Sequence, residues 1–338
     1  MKLIKTTEAV GHVLCHDLTQ IIPGEFKGAR YKKGHIVTEE DIPVLLSMGK
    51  EHLYIFELNS GMVHENDAAE ALCAICKGDH IDSGEVKEGK IELTAACDGC
   101  FTLDVDRLNR INSIDEIMIA TRKSYTAVHA GDKLAGTRVI PLVIGKDKLT
   151  EAAAIADGVP LMNVVPYKLK TAAVITTGSE VYHGRIKDQF TPVLIEKLQA
   201  YGVSVTRHIT VDDGVDNITS AIKEVRGSAD MILCTGGMSV DPDDNTPGAI
   251  RQSGAHIVTY GAPVLPGAMF LLGYFDDGTP ILGLPGCVMY AKATIFDLVM
   301  PRIAAGITLT KADFVAYGEG GLCLGCTPCT YPHCPFGK

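Results

Sequence analysis

Between residues 172 and 306 short apolar runs alternate with stretches of helical period. AAVITT (172–177) is an almost unbroken apolar run closed by a Gly-Ser turn, the mark of a strand buried on both faces. A helix is predicted from about Asp188 to Tyr201, with Leu194, Leu198 and Tyr201 on one face and Gly202 as its stop. VSVTRHI (203–209) reads as the next strand, 216–226 as a helix gathering Ile218, Ile222 and Val225, and DMILCT (230–235) as a third strand. Thr246-Pro247 predicts a helix start, with the hydroxyl as cap and proline at the first helical position. FLLGYF and TPILGL around Asp-Asp-Gly predict a hairpin, and Leu284-Pro285-Gly286 opens a last helix that Pro301 kinks or restarts. Such alternation predicts a three-layer αβα domain over 166–306, a mainly parallel sheet covered by helices on both faces.

The preceding half is patterned differently. Residues 1–65 read as an α+β subdomain of short strands and one helix, TEEDIPVLLSMG (38–49). Residues 66–165 read as a β-rich subdomain, with a helix at 66–77, short strands and Gly turns from 80 to 145, and a connecting helix at 148–158. Residues 307–338 form a Cys-rich tail.

Composition narrows the function classes. The 338 residues carry 46% hydrophobic and 21% charged side chains, an ordinary globular balance. A formal net charge of -10 without a basic run argues against a nucleic-acid backbone as partner. No stretch approaches the roughly 20 apolar residues needed to span a bilayer, and MKLIKTTEAVGHVL lacks a signal-peptide core, so a cytoplasmic location away from membranes is expected. Eleven cysteines, an odd count, do not suggest a disulfide framework.

Three loops follow predicted strands and carry candidate chemistry. Thr177-Gly178-Ser179-Glu180, continuing to Gly184-Arg185-Ile186-Lys187-Asp188, can bring amide N–H groups close to an anion at a helix N-terminus. Gly236-Gly237-Met238-Ser239 runs into Asp241, Asp243 and Asp244 and then Thr246. Three carboxylates within four residues repel one another unless a cation neutralises them, and Mg²⁺ takes carboxylate plus phosphate oxygens. Leu265-Pro266-Gly267 and Leu284-Pro285-Gly286 are turns with room for a ligand.

The series TTGSE, G-R-I-x-D, CTGGMS, acidic loop, PG and GLPG resembles the molybdenum-cofactor biosynthesis domain in order and spacing over about 140 residues. With a large N-terminal portion ahead of it, the chain is similar in architecture to the molybdopterin molybdenumtransferases. That resemblance implies insertion of molybdate into adenylylated molybdopterin with Mg²⁺-dependent release of AMP, by a homodimer. Asp188 and Asp244 would be the principal acids, with Asp241, Asp243 and Asp244 on Mg²⁺. Thr177, Gly178, Ser179, Glu180, Gly236, Gly237, Ser239, Thr246, Pro266, Gly267, Pro285 and Gly286 would bind the pterin. The family's K-P-G-K-P is Leu265-Pro266-Gly267-Ala268-Met269 here, without either lysine, and its small C-terminal β-barrel has no counterpart in the residues after Gly306. D-x-T-P at Asp244–Pro247 looks more like the adenylyltransferase and nucleotide pyrophosphatase branches. A carrier or sensor that holds molybdopterin without catalysis, docking to a molybdoenzyme or another cofactor-biosynthesis protein, is the reading from a different class.

The tail reads Cys323-x2-Cys326-x2-Cys329-x4-Cys334-Pro. Thiolates so spaced can wrap a Zn²⁺ ion or an Fe–S cluster, with His333 as a substitute ligand; a redox-sensitive tail is the alternative.

Overall fold

The structure, a computed structural model, describes residues 2–22, 25–55, 61–239, 241 and 244–338. Its contacts divide into two compact units, Met1–Cys97 with Phe101–Ser124 and Val128–Val164, and Asp98–Cys100 with Tyr125–Ala127 and Val165–Lys338.

The C-terminal unit is built on a six-stranded sheet. Its elements are β1 (Thr171–Thr177), α1 (Ser179–Tyr182), α2 (Phe190–Gln199), β2 (Ser204–Val211), α3 (Val215–Val225), β3 (Met231–Thr235), α4 (Thr246–Gln252), β4 (His256–Tyr260), β5 (Leu271–Tyr274), β6 (Pro280–Leu284), α5 (Ile295–Ala304) and α6 (Lys311–Ala316). The strand order is β2-β1-β3-β6-β5-β4. The first four strands are parallel, with Thr177 opposite Val211, Thr176 opposite Thr235, and Thr235 opposite Leu284. Their carboxyl ends therefore share one edge.

Alternation along β1 explains the three layers. Ala172 and Val174 face Leu194, Leu198, Phe296 and Val299 of α2 and α5. Ala173 and Ile175 face Ile218, Ile222 and Ile250 of α3 and α4. Each fully buried side chain of this size contributes about 1.5–3 kcal/mol, so both faces must be covered.

Three sequence expectations change here. The segment after Leu284 forms a 3-10 turn, Gly286–Met289, and α5 starts only at Ile295. There Thr294 and Asp297 make a capping box: the Thr294 hydroxyl oxygen accepts from Phe296 N (3.2 Å) and Asp297 Oδ2 accepts from Thr294 N (2.8 Å). Thr294→Ala is expected to lower stability by about 1 kcal/mol, read as a shifted denaturation midpoint. Second, Pro301 lies inside α5 without restarting it. Proline leaves the carbonyl four residues back without its helical donor, and the Tyr331 hydroxyl supplies one to Asp297 O at 3.3 Å. Tyr331→Phe strands that carbonyl and is expected to cost about 1–2 kcal/mol in a denaturant titration. Third, Thr246 does not cap α4. Its hydroxyl donates to Gly236 O at 2.8 Å, and α4 begins after Asn245 without a side-chain cap. β4 has no counterpart among the periodic segments; it pairs antiparallel with β5 at the sheet edge.

The Cys-rich tail packs onto this unit. Leu309, Phe314 and Phe336 are buried in the same core as α5, and Leu322 bridges to Leu265.

In the N-terminal unit, Leu14, Leu18, Val37, Leu45 and Leu53 form one small cluster. A second core lies between the helix Glu65–Cys76 and an antiparallel sheet ordered Ile81–Ser83, Lys90–Ala95, Lys133–Val139, Ile117–Thr121. The helix Lys146–Ala156 ends at Asp157, which takes the left-handed conformation (φ 52) one residue ahead of Gly158. Among the described residues no helix is long and apolar enough to cross a membrane.

Candidate functional site

Open parallel sheets bind ligands beyond the carboxyl ends of their strands, and the candidate loops all leave that edge. After β1, Gly178 turns the chain (φ +141) into α1. Ser179 N donates to Asp213 Oδ2 at 2.8 Å, and its hydroxyl donates to the Asp212 carboxylate. Hydrogen bonds from Ser179 and from the Asp213 amide hold the Asp212 carboxyl below the usual range. Both aspartates follow β2 and precede α3, so Ser179 already faces two anions where a phosphate oxygen was expected. The sequence reading passed over Asp212 and Asp213; their signal is Val211-Asp-Asp-Gly at a parallel strand's end.

The second loop locks against the first. Gly236 has φ +86, and a Cβ there would lie 2.3 Å from the Thr177 carbonyl oxygen. Gly237 (φ +56) has room for a Cβ only 2.9 Å from the Thr246 hydroxyl. These glycines thus serve the contact between loops. Thr177 and Thr246 hydroxyls stand 3.3 Å apart, and Asn245 Nδ2 donates to Asp213 O at 2.9 Å. Asp244 Oδ2 accepts from Ser239 N (2.6 Å) and its own amide donates to Asp241 O (3.0 Å). Tyr260 donates to Met238 O at 3.1 Å, tying the loop to β4. Ser179, Asp213, Asn245, Thr246, Gly236 and Thr177 form one continuous array.

Asp188 belongs to a different cluster. It accepts from Phe190 N (2.7 Å), Thr191 N (3.0 Å), the Thr191 hydroxyl and the Thr176 hydroxyl (3.1 Å), and His208 Nε2 lies 3.3 Å away. Burial pushes its carboxyl up, but the hydrogen bonds from Thr191, Phe190 and Thr176 outweigh it, and the net displacement is downward. It caps α2 through an anchor on Thr176, whereas the loop of Asp244 is anchored on Thr177. Successive strand residues point to opposite faces, so Asp188 and the loop that carries Asp244 are anchored on opposite faces of β1.

The remaining loops differ in openness. Gly267 (φ +124) packs its turn on α5, since a Cβ would meet Ile295 Cγ2 at 2.6 Å. Pro266 is half-buried beside it, and Leu265 pairs with the tail through Gly321 O and Cys323 N. Pro285 is buried at the end of β6, while Gly286 is exposed with open space around it. Glu180 is exposed, as is Asp241, and Asp243 lies outside the described residues.

The expected Mg²⁺ set of Asp241, Asp243 and Asp244 includes Asp243, which lies outside the described residues. Among the described residues no three His, Cys, Asp or Glu side chains gather as a metal site requires. In the tail, Cys323 and Cys334 pack partly against the core while Cys326 and Cys329 are exposed, because Tyr331 and Phe336 anchor the chain between and beyond them.

Comparison with known proteins bears on what this edge receives. Residues 173–305 match a family described as "Probable molybdopterin binding domain". The C-terminal unit therefore carries a molybdopterin-binding domain of the molybdenum-cofactor biosynthesis type. Residues 3–57 match a domain of unknown function, DUF8806. A CinA-like protein of Desulfosudis oleivorans is 37% identical over 82 residues, 24% of this chain and 20% of that protein. A molybdopterin molybdenumtransferase of Staphylococcus epidermidis is 25% identical over 298 residues, 84% of this chain and 66% of that enzyme. The chain thus spans about a fifth of the CinA-like relatives it matches. Among solved structures, the molybdopterin biosynthesis enzyme MoaB of Thermus thermophilus has a TM-score of 0.33 and 20% identity, covering 41% of this chain and 98% of that one.

Proposed function

We propose that this molybdopterin-binding domain receives the phosphorylated pterin at the carboxyl edge of β1, β3 and β6, and that the chain acts in molybdate insertion. The observation that carries the reading is the array joining Ser179, Asp213, Asn245, Thr246, Gly236 and Thr177, which fixes two glycine turns and a helix start around one edge. Similarity to a molybdenumtransferase over 84% of the chain, N-terminal half included, supports insertion over adenylylation.

Mg²⁺ in such sites takes one or two carboxylates, with phosphate and water completing the shell. Asp213 and Asp244, on loops joined by the Asn245–Asp213 hydrogen bond, would be the carboxylates offered to such an ion. The ion would neutralise phosphate charge. The protein's own part is to orient the phosphate at Ser179 and the Gly236 turn and to hold the pterin along the open ground at Gly286. Asp188 acts in this proposal as the cap that keeps the first loop in shape.

Two observations favour a second reading, a carrier without turnover. Leu265 and Ala268 stand where the transferases have lysines, and Ser179 is already engaged by carboxylates. Two anaerobic incubations of the full chain separate the possibilities, one with adenylylated molybdopterin, Mg²⁺ and molybdate, the other with molybdopterin, Mg²⁺ and ATP. Mo-loaded cofactor with AMP release is the expected result. Adenylylated pterin as the product of the second incubation, or tight binding without product in the first, contradicts it.

The Asp213 contact makes a further prediction. Without Mg²⁺ its carboxylate competes with phosphate for the Ser179 amide. Asp213→Asn should then tighten molybdopterin binding roughly three- to tenfold in a metal-free titration and abolish any gain on adding Mg²⁺.

A further inference from the structure

The basic side chains on the loops leaving the carboxyl edge are His183, Arg185 and Lys187 after β1 and Lys292 after β6. Carboxylates crowd the same edge, with Asp212 and Asp213 after β2 and Asp241 and Asp244 after β3. A tetrahedral oxyanion approaching them is repelled unless cations stand among them. Leu265 and Ala268 supply none.

All of these basic residues but Lys292 lie on one short strap, 183–187, which is tied down at both ends. Ahead of it, Ser179 N donates to Asp213 Oδ2 at 2.8 Å and the Ser179 hydroxyl donates to Asp212. Behind it, Asp188 accepts from the Thr176 hydroxyl at 3.1 Å. The chain thus leaves β1 at Thr177 and returns to Thr176 through Asp188, so the strap stands at the carboxyl end of that strand. Within this excursion Arg185 N (2.8 Å) and Ile186 N (3.2 Å) both donate to Glu180 O, and Gly184 takes φ +68 to make the turn.

His183 Nε2 lies 3.9 Å from Asp212 Oδ2. Arg185 and Lys187 are exposed, and neither forms an ion pair with another described residue. The Asp212 carboxyl is held low first by hydrogen bonds from Ser179 and the Asp213 amide, then by the charges of His183 and Arg185. The Arg185 guanidinium therefore acts on the Ser179 end of the array while its N–H fork stays free of any carboxylate.

We propose, resting on the reading that this edge receives the phosphorylated pterin, that the strap 183–187 is its oxyanion clamp. Arg185 is the principal partner of a tetrahedral oxyanion, either the pterin's phosphate or molybdate, and Lys187 is a second cation beside it. A guanidinium offers two parallel N–H groups to two oxygens of such an anion, a match that an ammonium cannot make. Its charge also offsets the repulsion from Asp212 and Asp213.

The test is anaerobic equilibrium dialysis of the full chain against inorganic phosphate, molybdate and molybdopterin, each used singly. Arg185→Gln, Arg185→Lys and Lys292→Gln are run beside the wild type. Neither side chain makes a hydrogen bond among the described residues, so all variants should keep the wild-type unfolding midpoint. Arg185→Gln should weaken at least one inorganic oxyanion roughly tenfold, Arg185→Lys about threefold, and Lys292→Gln should bind as the wild type does. Weakened phosphate and molybdopterin assign the clamp to the pterin's phosphate, and weakened molybdate assigns it to the metal oxyanion. A wild type that binds neither inorganic oxyanion, or an equal loss in Lys292→Gln, would overturn the proposal. Wild type and Arg185→Gln binding all three probes alike would also overturn it, leaving the pterin reading intact. Inorganic oxyanions bound through Arg185 without any binding of molybdopterin would contradict the pterin reading and leave the clamp standing.

Discussion

Gly236→Val is expected to lower the unfolding free energy by about 3 kcal/mol or more and to eliminate pterin binding. The position is doubly constrained. Its φ of +86 is one that a β-branched residue adopts only under strain, and the first side-chain atom would sit 2.3 Å from Thr177 O and 2.7 Å from the Thr177 hydroxyl. Backbone on the opposing side cannot swing away as a flexible side chain can. Relief requires the first and second loops to separate, breaking the Thr177–Thr246 and Thr246–Gly236 hydrogen bonds. Strained backbone and overpacking each cost on the order of 1–3 kcal/mol. Gly248 in α4 is the control, having nothing within 4 Å of a Cβ and no positive φ. Gly248→Ala should stabilise by about 0.5–1 kcal/mol and leave binding unchanged. Urea denaturation and a ligand titration on both variants read the contrast.

Asp188→Ala should destabilise by about 2 kcal/mol at neutral pH, and the penalty should shrink in acid. The carboxylate caps two backbone amides of α2 and accepts from Thr176 and Thr191, so alanine strands several donors in a partly buried place. Its folded pKa lies below the ordinary 3.8. A depressed carboxyl contributes stability that is fully present above the unfolded value and is lost as pH falls through the folded one. The gap between wild type and variant should therefore narrow as the pH drops below 3.8, leaving what the neutral carboxyl still contributes. Asp188→Asn keeps one acceptor for the α2 amides and should fall between them. A difference that persists unchanged into acid would show that the charge on Asp188 contributes nothing.

Much of the three-layer domain is legible locally. The apolar run 172–177, the helical face of Leu194 and Leu198 and the hairpin around Asp276-Asp277-Gly278 each carry their own period, and each appears where that period places it. What escapes local reading depends on partners far along the chain. Thr246 has a helix-cap sequence, yet its hydroxyl is drawn to Gly236 by the loop crossing. Pro301 predicts a kink or restart of the last helix, and a tyrosine thirty residues on supplies a donor to the carbonyl that the proline leaves unpaired. Asp212 and Asp213 acquire meaning only when Asn245 and Ser179 reach them. The glycines were readable as special positions, but that Gly236 opposes Thr177 follows from strand order, which no single segment encodes.

Anaerobic calorimetry of molybdopterin against the full chain, beside Gly236→Val and Gly248→Ala, bears most directly on the proposed edge site. One binding event per chain, retained in the alanine variant and lost in a valine variant still folded at the working temperature, is the predicted result. No heat with the wild type, or equal affinity in all three proteins, would contradict it.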